Sequence, residues 1–391
     1  MRRFTRPRLD YRYSLTDIAT AIKNLRNCSD DVSFLMPYFP SKHIYYVNHA
    51  RTGLRIALSS LNLEPKSNVG VIAFNCFTVF NAIQEAGLTP VFIDVTFDFK
   101  MDLLDLRRKA EDLDALIVTH LFGIPTDVEA IRLMIPGIPI IEDCAHAFSS
   151  KCNGIFCGNA GDISVFSIGK GKLPSVGDGG YVVLNNLNYK IPVEDSIIKL
   201  PHVSITTELF AIVKWTIFSI LHSSIIYSIL TKPVLKRFDK KADLGNKFSH
   251  HESRILNSSV SVLKRRMKRF EKEQEERTIR ANQIITDIDS VKLQYLQVTK
   301  DASPNYFMLP FLVNSEQRTI LMKQTISNIE IGTHFGNSIN WASEFGYAIG
   351  TCPNCELIVN MIVTLPTYCN YTIGQIRGGQ KLKAFWYDSL Y

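Results

Sequence analysis

Apolar and polar positions change period several times along the chain. Between Ile44 and about Asn186, short unbroken apolar runs alternate with stretches whose apolar residues recur at helical spacing. VGVIAF (69–74), PVFIDV (90–95), ALIVTHLFG (115–123) and IPIIEDC (138–144) read as strands. TVFNAIQEAG (78–87), MDLLDLRRKAED (101–112) and DVEAIRLMI (127–135) read as the helices between and after them. Such alternation predicts βαβ units and a mostly parallel sheet. Upstream, LTDIATAIKNLRN (15–27) predicts a helix that ends before the proline-flanked turn MPYFPSK.

The pattern then departs from that of a soluble enzyme. Residues 209–231 read LFAIVKWTIFSILHSSIIYSILT, with Lys214 as the only fixed charge. A membrane span needs roughly 20 predominantly apolar residues, and four serines and His222 dilute this run. The expectation is a helical hairpin that packs on the large domain or lies on a bilayer surface without crossing it. Lys232, Lys236, Arg237, Lys240 and Lys241 follow and would suit anionic headgroups. VLKRRMKRFEKEQEERTIRANQII (262–285) predicts one long, partly exposed helix with opposite charges at helical spacing. MLPFLV (308–313) and EQRTILMKQTI (316–326) return to strand and helix. Two domains follow from this. Residues 1–285 form an N-terminal arm and a large domain, with an apolar insertion at about 205–240. Residues 286–391 form a small C-terminal α/β domain.

Composition adds limits. A chain of 391 residues, 46% apolar and 21% charged, is ordinary for a soluble protein of about two domains. The net charge of +7 is spread thinly. It fits an anionic small-molecule substrate or weak attraction to acidic membranes, and it is too diffuse for nucleic acid. MRRFTRPRLDYRYSL lacks the apolar core of a secretory signal. Of eight cysteines only Cys352 and Cys355 form a CxxC pair, with no second pair at zinc-ligand spacing. The expectation is free thiols, no metal, and a reducing cytoplasm.

Chemistry concentrates in FSIGKGKLPSVGDGGYVV (166–183), where Lys170 and Lys172 sit among glycines. No Ser or Thr follows either lysine, so this is not a nucleotide-hydrolysing phosphate loop. A lysine in such a loop can instead bind an aldehyde cofactor. Pyridoxal 5'-phosphate (PLP) needs that lysine, a carboxylate at its pyridine nitrogen, phosphate donors and something packed on its ring. Asp143 ends an apolar strand and projects at the carboxyl edge of the sheet, where open α/β sheets bind ligands. His146 lies three residues on. Ser167 precedes the lysines, and Arg51 and Thr52 open an apolar helical pattern whose N-terminus suits a phosphate. Spacing alone leaves each role open. A strand-ending aspartate is commonly a cap, a lone histidine is commonly structural, and spacing does not choose between Lys170 and Lys172.

The phrases ARTGLRIAL, NAIQEAGLTPVFIDV, THLFGIPTDVEAI, IIEDCAHAF, GDISVFSIGKGK and GDGGYVV run in one order, and CPNCELIVNMIVTLPTY follows near the C-terminus. In that order they resemble the DegT/DnrJ/StrS family of PLP-dependent sugar aminotransferases. The resemblance implies the fold-type I transferase architecture: a large α/β domain with a mostly parallel central sheet, and a small C-terminal α/β domain. It also implies PLP on Lys172, Asp143 facing the pyridine nitrogen and His146 near the ring hydroxyl. Ser167, Thr52 and Arg51 fall at the phosphate. Lys172 would serve as general base and acid. Where relatives stack an aromatic on the ring, this chain has Cys76, with Phe77 beside it. Asp178 replaces a usual Glu, Ala50 a usual Gly, and Glu252 in ESR (252–254) the Asn of the segment that reaches the partner subunit.

The implied reaction moves an amino group, with glutamate as expected donor, to a ketone of a nucleotide-linked sugar in surface polysaccharide or glycan synthesis. The implied assembly is a cytoplasmic homodimer with peripheral membrane contact through 209–231. Three alternatives stand beside it. One is a sugar dehydratase of the same family, although those typically replace the lysine by histidine. Another is a non-catalytic, membrane-docked relative. The third is an aminotransferase acting on an amino-acid-like substrate.

Overall fold

The computed structural model describes residues 4–10, 12–26, 30–39, 43–234, 251–287, 301–313, 318 and 329–369. Its centre is a seven-stranded sheet of β1 (His43–Val47), β2 (Asn68–Ile72), β3 (Thr89–Ile93), β4 (Ala115–Thr119), β5 (Ile140–Asp143), β6 (Ile163–Ser167) and β7 (Gly180–Leu184). The spatial order is β1-β7-β6-β5-β4-β2-β3. β3, β2, β4, β5 and β6 are parallel neighbours, and β7 runs antiparallel to both β6 and β1. β4 and β5 are buried at every position. That is why they read as unbroken apolar runs: a central parallel strand is covered on both faces.

Helices α1 (Leu15–Lys23), α2 (Ala50–Ser60), α3 (Phe77–Glu85), α4 (Leu103–Lys109), α5 (Val128–Met134) and α6 (Lys190–Ile198) precede, connect or follow these strands. α1 opens on a capping box, in which Ser14 Oγ accepts the Asp17 N–H and the Asp17 carboxylate accepts the Ser14 N–H. It closes at Asn24, earlier than the periodicity predicts. The expected mostly parallel α/β sheet is thus the observed one.

Two sequence expectations change. The charged run 262–285 is two helices, α9 (Asn257–Met267) and α10 (Phe270–Asp287). No Gly or Pro marks the break. Tertiary packing makes it, by bringing Phe270 edge-on to Phe148 with ring centroids 4.9 Å apart. The apolar stretch is α7 (Ile205–Leu221) and α8 (Ser224–Val234), bent by 68° rather than folded back as a tight hairpin. The Thr231 hydroxyl donates to the Leu221 carbonyl at 2.7 Å and fixes that bend. No single described helix is long and apolar enough to cross a membrane.

Beyond α10, β8 (Met308–Leu312) pairs antiparallel with β9 (Ile362–Pro366), flanked by α11 (Ser338–Ser343) and α12 (Pro353–Met361). A second apolar cluster joins Ala281 and Ile284 of α10 to Leu309, Phe311, Ile331, Val363 and Leu365. Cys352, Cys355 and Ile358 around α12 belong to the main core instead. The predicted helix 316–326 lies, apart from Arg318, outside the described residues.

Candidate active site

Parallel strands present their carboxyl ends at one edge, and this edge gathers the predicted residues. Thr119 of β4 is in register with Asp143 of β5, and Asp143 with Val165 of β6. The Asn75 amide, just past β2, donates to Thr119 Oγ1 at 2.9 Å. Asp143 is buried. Its Oδ1 accepts the Ala145 N–H at 3.1 Å, and no described residue donates to Oδ2. Burial pushes the Asp143 carboxyl above its ordinary range, while the Ala145 N–H and the positive charge of Lys172 oppose the rise.

The two lysines diverge. Lys172 Nζ stands 5.8 Å from the centroid of the Phe307 ring. Burial lowers its pKa, against the pull of Cys76 and Asp143. Lys170 Nζ points away to the Phe218 ring on α7, at 4.0 Å. His146 is buried and stacks on Phe307, with centroids 4.4 Å apart. Its Nδ1 accepts the Phe122 N–H at 3.3 Å, which leaves the proton on Nε2. Burial, then the charge of Lys172 and the neighbouring His334, push His146 well below its ordinary value, so the ring is neutral.

A cradle lies alongside. Ser167, which ends β6, is in register with Gly180 at the start of β7. A Cβ on Gly180 would lie 2.6 Å from the Phe166 carbonyl and 2.8 Å from the Ala50 N. Only glycine at 180 lets the α2 N-terminus and the end of β6 approach the start of β7 this closely. Thr52, in the first turn of α2, donates to Asn48 Oδ1 at 2.7 Å, and Arg51 precedes it. The N-terminal amides of α2 and Ser167, whose Oγ accepts the Gly169 N–H at 3.4 Å, thus lie at one edge of the sheet, a place that suits an anion. Cys76 caps α3 and lies within electrostatic reach of Lys172. Phe77 turns to Phe345 instead, with centroids 5.1 Å apart. Glu252 forms a bidentate pair with Arg55 of its own α2.

Three aromatic neighbours and one histidine escape the sequence reading. Phe307, Phe335 and Phe122 surround His146, and His334 sits 5.5 Å from it. Burial and the Lys172 charge push His334 down to about 3. A signal existed: THFG (333–336) repeats the Thr-His-aromatic-Gly character of THLFG (119–123).

On the opposite face of β5, Glu142 is fully buried. It accepts N–H groups from Gly158, Ala160 and Gly161 at 2.8, 2.9 and 2.6 Å, and faces His120 Nε2 at 2.9 Å. His120 Nδ1 accepts the Thr126 N–H. His120, Glu142 and Cys144 bring ligand-type atoms within 4.8 Å of one another, but these bonds already occupy the imidazole and the carboxylate, so the cluster reads as a structural brace. Burial raises the Glu142 pKa, yet His120 and the N–H donors outweigh it and hold the group below its usual range. Its stabilising contribution is therefore present above the ordinary carboxylate pKa and lost as pH falls through the lowered value. Glu142→Gln turns an NH₂ toward these donors. A loss of about 2–4 kcal/mol in urea unfolding is expected, and an unchanged midpoint would refute the brace.

The model of the DegT/DnrJ/EryC1/StrS aminotransferase family matches residues 34–207 and 220–377. GDP-perosamine synthase of Escherichia coli O157:H7 is 34% identical over 151 residues, covering 37% of this chain and 42% of the relative. UDP-N-acetyl-3-dehydro-alpha-D-glucosamine 3-aminotransferase of Acidithiobacillus ferrooxidans is 36% identical over 135 residues, covering 33% and 37%. These alignments span about two fifths of the curated relatives. Among solved structures, the aminotransferase TlmJ of Streptoalloteichus hindustanus superposes with a TM-score of 0.73 at 16% identity, covering 97% of this chain and 99% of that one. Spr1654 of Streptococcus pneumoniae, in its PLP form, gives 0.69 at 15% identity, covering 99% of each.

Proposed function

Since the chain belongs to the DegT/DnrJ/EryC1/StrS aminotransferase family, we propose that it is a PLP-dependent transaminase. Its substrate is a nucleotide-linked keto-sugar and its amino donor is glutamate. The observation that carries this reading is the placing of Lys172 Nζ at Phe307, the ring on which His146 stacks, within electrostatic reach of the Asp143 carboxylate and at the sheet edge that also holds Ser167 and the N-terminus of α2. These residues fit the cofactor. Asp143 Oδ2, without a donor of its own, suits a protonated pyridine nitrogen. Ser167, Thr52, Arg51 and the α2 amides suit the phosphate, and Cys76 and the neutral His146 flank the ring.

Bound there, PLP supplies an aldehyde carbon for the amino group and a ring that withdraws electrons. Lys172 does the proton work. Its lowered pKa favours the neutral amine, which takes the proton from the donor's α-carbon and later delivers one to the sugar carbon. His146, its Nδ1 engaged by Phe122, offers Nε2–H as a fixed donor. Phe307, Phe335 and Phe122 restrict water around these groups.

The enzyme acts in the cytoplasm, in surface polysaccharide or glycan synthesis, as a homodimer, and it touches the membrane peripherally through residues 209–231. The test is mass spectrometry after incubation with PLP, nitrogen-labelled glutamate and a panel of nucleotide keto-sugars. Label in an amino-sugar nucleotide is expected. Label only in amino-acid-like acceptors would replace the substrate class, and no transfer to any acceptor would overturn the reading.

A further inference from the structure

We propose that Arg8, carried on the N-terminal arm, and His334 together bind paired acidic oxygens of the substrate beside Lys172. Those oxygens belong either to a carboxylate of the amino donor or to the diphosphate of the sugar nucleotide. The inference rests on the transaminase reading above and names a substrate contact which that reading leaves unassigned.

The arm RPRLD (6–10) is tied down on both sides of Arg8. Arg6 bridges Ile329, and the Glu330 N–H donates to the Arg6 carbonyl at 3.0 Å. The Arg8 N–H donates to Glu330 Oε2 at 3.1 Å, and the Tyr227 hydroxyl donates to the same oxygen at 2.6 Å. The Tyr368 hydroxyl donates to the Pro7 carbonyl. Across the arm, Leu9 rests on Gly171, the residue between the two lysines, where a Cβ would meet Leu9 Cδ1 at 2.8 Å. Gly171 has φ +70°, so both the backbone and the close approach call for glycine. The arm therefore runs between the segment 329–332 and the lysine-bearing loop, with Arg8 in the middle.

From there the Arg8 side chain passes over Gly332. A Cβ on Gly332 would lie 3.3 Å from Arg8 Cδ and 3.7 Å from Nη1, and His334 follows two residues later. Arg8 is exposed, and no described residue accepts a hydrogen bond from its guanidinium. His334 is half-buried against Phe122, Phe335 and His146, and neither of its ring nitrogens has a described hydrogen-bond partner.

Charge selects the ligand. Burial, then the positive charges of Lys172 and Arg8, keep the His334 ring neutral, and no carboxylate acts on it. Asp143 acts on Lys172 but not on His334. The two acids nearest in the arm and its partner strand are engaged elsewhere: Asp10 pairs with Arg12 at 2.8 Å, and Glu330 holds the Arg8 N–H and the Tyr227 hydroxyl. This side of the pocket is thus positive and uncompensated, and an anionic group is its complement. A guanidinium meets two acidic oxygens through parallel N–H donors, and a neutral imidazole adds one N–H.

The test is titration calorimetry on the full, PLP-loaded chain with two probes, glutarate and inorganic pyrophosphate. The parent is expected to bind one of them. Arg8→Gln should weaken that binding at least tenfold, with partial recovery in Arg8→Lys, and His334→Phe should weaken the same probe. Arg8→Gln keeps the N–H bond to Glu330 and removes no described side-chain contact, so its Tm should not move. The affected probe identifies the source: glutarate means the donor carboxylate, and pyrophosphate means the sugar nucleotide. KM for the corresponding substrate should rise at least tenfold in Arg8→Gln, by more than kcat falls. Equal binding of both probes by the parent and Arg8→Gln would overturn the proposal, and so would a parent that binds neither. Binding that is lost in Arg8→Gln, in a chain that transfers no amino group, would leave this anion site standing and remove the transaminase reading instead.

Discussion

Lys172→Ala is expected to reduce amino transfer by on the order of 10⁴-fold, whereas Lys170→Ala should stay within about tenfold of the parent. The two side chains leave the same loop in different directions. Lys172 shares its surroundings with Asp143, Cys76, His146 and His334, all of which respond to its charge or act on it. Lys170 rests on Phe218 of α7, away from that pocket. Lys172→Arg should fail as well, because a guanidinium keeps the charge but is neither a neutral nucleophile nor a base at working pH. Borohydride treatment of the PLP-loaded protein should fix the cofactor on a peptide whose modified residue is Lys172. A label on Lys170 would overturn the assignment, and no label on either would remove the cofactor reading. The pH dependence has a definite sign. The base form of Lys172 grows as pH rises through its lowered pKa, so turnover should climb with pH on the acidic side at lower pH than an unperturbed lysine would allow.

How much of this was legible in the sequence depends on what each feature rests on. β4 and β5 were legible because burial on both faces leaves an unbroken apolar run, and Asp143 follows as the polar residue that ends one. The choice of Lys172 over Lys170 was not legible from spacing, because their divergence depends on where α7 and Phe307 lie. The family resemblance chose Lys172; in the structure Lys172 Nζ lies at the Phe307 ring and Lys170 Nζ at the Phe218 ring. His334, Phe335 and Phe307 were missed because they reach the site from the C-terminal part of the chain, and nothing local ties them to His146. The break between α9 and α10 was invisible for a similar reason. It serves Phe270, whose partner Phe148 is distant in sequence. In α7, apolar residues on both faces erase the period that would have shown which face turns outward.

Asp143→Asn should lower turnover by on the order of 10²-fold or more while leaving the fold and cofactor binding in place. Such a loss corresponds to about 3 kcal/mol of transition-state stabilisation. The substitution is close to isosteric, and the Asn carbonyl can still accept the Ala145 N–H that Oδ1 now accepts at 3.1 Å. Strand β5 therefore keeps its cap, and thermal unfolding should barely move. What disappears is the negative charge. Asp143 is buried, and burial alone pushes its carboxyl toward the neutral form. A cationic partner restores the charged form, and a protonated pyridine nitrogen is such a partner for Oδ2, to which no described residue donates. The charge pair matters most when electron density moves into the ring, which is why its loss should appear in kcat more than in the binding of either substrate. The measurement is kcat and KM for Asp143→Asn beside the absorbance of bound PLP. Near-parental kcat with PLP still bound would reduce Asp143 to the strand-end cap that the sequence alone equally allows.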